Sequence, residues 1–229
     1  MRSVQKSVLF GALMSVAAVA QAVPVNYSFS GNSVGEFTGS GAAVFGNTIF
    51  TGATQVSGTF TYDSDTASLG YVPVAGYGAA PFANHAGAFS AMDMTVAGNA
   101  VSADVGLGLL GDNVAPGGVG APLDVLLGYS AASLPTVNFA GFSTGGWQLT
   151  SFSFVFFNAA NTFPGGALPD APAGFMNLME FFFANTQGQV QKVRYSLSNV
   201  QEVVAVPEPS TFMLLAMGLA GMLLRRRTA

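Results

Sequence analysis

Cysteine is absent from the 229-residue sequence, and histidine occurs once, at His85. Without thiols there is no disulfide framework, no thiolate nucleophile, no Fe–S cluster and no thiolate zinc site. A single imidazole excludes a His-rich metal site as well. Charge is scarce too, at 8% of residues. Five of the seven bases lie near the ends, as Arg2, Lys6, Arg225, Arg226 and Arg227, leaving only Lys192 and Arg194 between them. Ten acids stand against those two between residues 23 and 205, a net charge of −8. Such a surface cannot neutralise phosphates, which excludes nucleic acid as a partner, and anionic membranes repel it. It suits divalent cations, or neutral sugars met by aromatic faces. Twenty phenylalanines argue for a packed core and against disorder.

Both ends carry targeting chemistry. At the N-terminus Arg2 and Lys6 precede an apolar run over 8–20, and Ala20-Gln21-Ala22 forms an A-x-A cleavage site. Residues 1–22 therefore read as a secretory signal peptide, cleaved after Ala22. At the C-terminus Val206-Pro207-Glu208-Pro209-Ser210 leads into an apolar run over 212–224, and Arg225-Arg226-Arg227 follows. At ~1.5 Å per helical residue the run spans ~20 Å against a hydrocarbon core of ~30 Å, so bilayer thinning or snorkelling must meet the mismatch. The arginines can snorkel, and by the positive-inside rule they hold the C-terminus on the cytoplasmic side. Pro207 and Pro209 keep the helix from starting earlier, leaving residues 206–209 extended at the outer boundary, where a membrane protease could grip them.

This order of Pro-Glu-Pro, short hydrophobic helix and basic cluster resembles the PEP-CTERM sorting signal. The resemblance covers 206–229. It implies an exported protein of a Gram-negative, polysaccharide-producing bacterium, processed by an exosortase. The expected organisation is a signal peptide (1–22), a secreted domain (23–205) and a sorting tail (206–229). The domain would sit transiently in the periplasm, anchored to the inner membrane, before reaching the cell surface or the extracellular matrix. Gln55 to Asp63, followed by Ser64-Asp65-Thr66, is similar to a strand and turn in many proteins with this tail, and carries no activity with it.

Within 23–205 the dominant period is two. Val56, Gly58, Phe60 and Tyr62 alternate with Ser57, Thr59, Thr61 and Asp63. Val193, Tyr195 and Leu197 alternate with Lys192, Arg194, Ser196 and Ser198, and Asn185-Thr186-Gln187-Gly188 is a turn joining this strand to 181–184. Residues 92–96 and 101–105 read as a hairpin about Gly98-Asn99. Residues 147–157 read as a long central strand, since the run 154–157 suits burial on both faces. Weaker strands are expected at 25–30, 35–38 and 42–50. Stretches 69–88, 113–122 and 158–174 are rich in Gly, Pro and Ala and read as loops. Residues 175–184 fit either a strand or a short helix. Many short strands without βαβ alternation predict an all-β fold, an antiparallel β-sandwich of jelly-roll-like or similar form.

The domain offers few groups for chemistry. Asp63 and Asp65, two apart in a turn, could converge on Ca²⁺, although Ala67 and Ser68 break the EF-hand pattern and the pair more simply serves as turn residues bonding their own backbone. No other cofactor is expected. Tyr71, Tyr77, Phe82 and His85 follow in a Gly-rich stretch; they could stack on sugars of an exopolysaccharide, or plug the end of the fold. Trp147 reads as packing. Gly141-Phe142-Ser143-Thr144-Gly145 fits the bare nucleophile-elbow spacing, but a strand follows Ser143 where the elbow needs a helix. Glu36, Glu180 and Glu202 are the acids available as a glycosidase pair. Asn26-Tyr27-Ser28 is a sequon of weak meaning here. The expected role is non-enzymatic, with no catalytic residue assigned. A glycan-binding module is the alternative, and a glycan-active hydrolase stands third.

Overall fold

A computed structural model describes residues 23–44, 48–74, 77, 81–115, 121–135 and 137–204. The signal-peptide and sorting-tail expectations, including Ala20, Ala22, residues 206–210, the 212–224 helix and Arg225–Arg227, lie outside the described residues. Among the described residues no helix is long and apolar enough to cross a membrane.

The all-β expectation holds, but the sheet is a closed barrel and not an open sandwich. Its strands are β1 (Val25–Thr38), β2 (Gln55–Tyr62), β3 (Tyr71–Pro73), β4 (Pro81–Val96), β5 (Asn99–Val114), β6 (Leu123–Ala131), β7 (Phe139–Ala140), β8 (Ser143–Thr144), β9 (Trp147–Ala159), β10 (Met176–Asn185) and β11 (Val190–Glu202). All pairings are antiparallel, in the order β4-β2-β1-β11-β10-β9-β6-β5, and β5 returns to β4. Closure depends on β4, which pairs with β2 on one edge and β5 on the other, so neither edge is left open. The short strands β3, β7 and β8 add to β4, β5 and β9.

The interior is filled by rings from all sides. Phe29 of β1, Phe60 of β2, Phe89 of β4 and Phe154 of β9 meet in the middle, with the Phe60 and Phe154 centroids 4.8 Å apart and the Phe29 and Phe154 centroids 5.1 Å apart. Eight strands leave an interior that side chains alone can fill. Each buried phenylalanine contributes roughly 1.5–3 kcal/mol. Gly128 makes room for this cluster: a Cβ there would lie 2.9 Å from the Phe89 ring.

The strand from 147 is central as expected, and is buried on both faces. Phe152, Phe154 and Phe156 point into the barrel, while Val155 and Phe157 join a second, outer cluster with Phe82, Leu109, Val125 and Leu127. The 92–105 hairpin forms through Ala97 and Gly98, both at positive φ, the geometry a two-residue hairpin turn needs. The 185–188 turn forms as well, with Asn185 Oδ1 accepting from the amides of Gln187 and Gln189.

Several expectations are corrected. The choice left open for 175–184 falls to strand, over Met176–Asn185, because its pairing with β9 and β11 uses period two. The two weak strands at 25–30 and 35–38 are one strand, bent by bulges after Ser30 and Ser33. Residues 81–88 belong to β4 and not to a loop. Strand β6 drew no expectation at all. Of the strand expected at 42–50, Ala43 makes a single bridge, and residues 48–50 carry no strand and enter as a plug.

Chain segments close both ends. Ile49 and Phe50 enter the core at one end, held by the buried Glu36 carboxylate, which accepts from the amides of Thr48, Ile49 and Phe50. Phe163 and Leu168 close the other end, where buried Asp124 accepts from the Phe163 amide at 2.7 Å and the Tyr62 hydroxyl donates to Pro169 O at 2.8 Å. Every described strand pairing and both apolar clusters lie within 23–204, so this segment holds its own core.

Candidate ligand groove

A concavity of about 1270 Å³ lies on the outside of the barrel. Two others, of about 400 and 200 Å³, are much smaller. Its floor follows from strand register. Residues directly opposite one another in a sheet share a face. Leu107, Tyr129, Ser153, Glu180 and Arg194 form one such row across β5, β6, β9, β10 and β11. Leu109, Leu127, Val155, Leu178 and Ser196 form the next. Phe157 and Met176 continue the apolar floor, and Phe182 and Lys192 extend the first row's charged end.

Two walls rise from this floor. Residues 72–74 and Tyr77 form one, with the Tyr77 ring edge-on to Phe82 at 5.3 Å. Residues 34, 37 and 39–41 form the other, where the bulged β1 ends. Asn84 also lines the groove, and its Oδ1 is buried with no hydrogen-bond partner among the described residues.

Charge is confined to one corner. Glu180 Oε1 accepts from Arg194 Nε at 2.8 Å and Nη2 at 2.6 Å, and Lys192 Nζ lies 3.0 Å from the same oxygen. The Arg194 guanidinium lies over the Phe37 ring, 4.6 Å from its centroid. Two cations and one anion leave this corner at +1, within a segment of net charge −8. Burial pushes the Tyr77 phenol well above its ordinary value; Glu180 adds to the shift and Arg194 opposes it, so the hydroxyl senses this corner.

The candidate residues from the sequence are dispersed. Asp63 Oδ1 accepts from the Asp65 amide at 3.0 Å, an Asx turn, while Asp65 is exposed. Among the described residues no group of three or more His, Cys, Asp or Glu could hold a metal. The aromatic stretch is split: Tyr71 is 66% exposed and Tyr77 stands in the groove wall, but Phe82 and His85 are buried. Both His85 ring nitrogens face backbone carbonyls, Nδ1 to Thr66 O at 2.7 Å and Nε2 to Gly166 O at 3.0 Å, so the ring pins two loops. Trp147 is buried packing, as expected.

The hydrolase constellations do not assemble. Ser143 pairs beside the start of β9, while His85 contacts the loop beyond its far end. Glu36 is paired with Val193, an interior residue, and Glu180 with Arg194 on the outside, so these two acids lie on opposite faces. Glu202 is at the far end of β11, opposite Tyr27. Sequence reasoning missed the groove itself. The signal available was the pairing of the only two central bases with apolar-alternating strands, which needed the strand register to become a site.

Residues 205–227 match the family model of the PEP-CTERM protein-sorting motif. No curated protein and no solved structure matches the chain. The motif implies an exported protein sorted through the membrane, with an exosortase as its processing partner.

Proposed function

We propose that this is a cell-surface or extracellular-matrix protein whose barrel is a non-enzymatic binding module. Apolar residues 212–224 hold it briefly in the inner membrane, an exosortase cuts near Pro207-Glu208-Pro209, and the domain is released or attached outside. The observation that carries the binding role is the outer groove, wide, mostly apolar and charged at a single corner, which is the usual composition of a ligand site. The separation of Glu36, Glu180 and Glu202 supports a role without glycoside hydrolysis. A second reading places an exopolysaccharide in the same groove, favoured by the Tyr77 and Tyr129 rings beside the Glu180–Arg194 pair. The sorting half is tested by following the tagged protein in its exosortase-bearing host, alongside a variant with Pro207→Ala and Pro209→Ala. The expected result is a shortened, shed form of the wild type and a full-length, membrane-retained variant. Equal processing of both would overturn it.

A further inference from the structure

We infer that the groove takes a long-chain aliphatic carboxylate, its chain along the apolar rows and its head at Arg194. This rests on the reading of the groove as a ligand site. The lining discriminates between ligand classes. The second row offers Leu109, Leu127, Val155 and Leu178, branched aliphatic side chains that give a sugar neither hydrogen bonds nor a flat stacking face. They do give a methylene chain about 0.8 kcal/mol for each CH₂ removed from water.

Length and charge agree. Five strands at ~4.8 Å spacing make the floor ~19 Å wide from β5 to β11. One leaflet's acyl chain occupies half of a ~30 Å hydrocarbon core, ~15 Å, which leaves space for a head at the β11 side. The corner there is +1, and a carboxylate brings it to neutrality. Arg194 is oriented to receive it: Phe37 lies against its plane and Glu180 holds Nε and Nη2, while Nη1 has no acceptor among the described residues. The domain's overall negative charge opposes an anion only weakly, since charges beyond ~10 Å are screened at physiological salt. An uncharged alkyl ligand would leave the Lys192 charge uncompensated, because Arg194 alone neutralises Glu180.

The experiment uses residues 23–204, prepared without detergent and titrated calorimetrically with dodecanoate, dodecanol and a uronate oligosaccharide. Dodecanoate is expected to saturate one site, with dodecanol at least roughly tenfold weaker, the loss of a charge-assisted hydrogen-bonded head. Arg194→Gln should bring dodecanoate down to the level of dodecanol. Met176→Glu, at a 40% exposed position at the end of the apolar floor, should weaken dodecanoate with little change in the thermal midpoint. Equal affinity for acid and alcohol in the wild type would overturn the inference without needing any variant. Binding of the uronate in place of dodecanoate would overturn the ligand class and leave the groove reading standing. No binding by the folded protein would overturn both.

Discussion

Arg194 donates through Nε and Nη2 to the same oxygen of Glu180, and both stand in direct register on the outer face of the barrel. With Lys192 on that oxygen as well, the only two bases between residues 23 and 204 share one acid. The arrangement ties β10 to β11 and gives the groove its single charged corner.

Glu180→Gln should therefore destabilise the barrel. Two cations, with side chains 14% and 31% exposed, would lose their counter-charge. Their partial exposure moderates the penalty, and a loss of roughly 1–3 kcal/mol is expected. Urea unfolding of residues 23–204 measures it. A change under 0.5 kcal/mol would show that the cluster is irrelevant to stability.

Glu36→Ala should open one end of the barrel. The carboxylate satisfies three consecutive amides, and its loss frees Ile49 and Phe50 from the core. The expected cost is roughly 2–4 kcal/mol, with limited proteolysis appearing first between residues 39 and 54. Cleavage rates equal to wild type in that segment would contradict the plug.

Alkaline pH should unfold the protein before mild acid does. Burial pushes Tyr195 up to about 12 from an ordinary 10.0, with the Thr54 hydrogen bond opposing and Glu36 adding. Burial also raises Tyr62, Tyr77 and Tyr27. Below the unfolded value both states keep these protons, and the tyrosine contribution to stability is constant. As pH rises past 10.0, the unfolded chain releases protons that the folded state retains, so stability falls through the window from about 10 to the folded value, by up to roughly 1.4 kcal/mol per unit per group. Urea midpoints between pH 8 and 11.5 test this, and a flat profile above pH 10 would refute it.

Calcium should leave the thermal midpoint unchanged. Asp63 serves its own turn through the Asp65 amide, and Asp63→Asn keeps an acceptor at that place. The expected midpoints are equal in EDTA and in millimolar calcium, for wild type and variant alike. A calcium-dependent rise in the wild type that disappears in the variant would restore the cation role.

Local chemistry was legible. The sorting tail is a linear signal, read from order along the chain. Alternation in 193–197 and 147–157 identified strands and the faces they bury, since side-chain period follows from backbone pleat alone. The turn at Asn185 was legible for the same reason. Strand β6, at Leu123–Ala131, was not: buried on both faces, it has no polar alternation to mark it. A weak strand was expected at 42–50, but the amides of Thr48, Ile49 and Phe50 are satisfied by Glu36, a partner no local pattern reveals.

By itself the sequence determined the export and sorting of the chain, its all-β class and its lack of cysteine, because targeting signals, pleat period and composition are each local or additive. The tertiary structure decided that the sheet closes, since closure needs both edges of β4 to find partners distant in the chain. It decided that Glu36 faces inward and Glu180 outward, which bulges in β1 and register between strands control. It also built the groove, whose floor belongs to five strands and exists only once their residues are brought opposite one another.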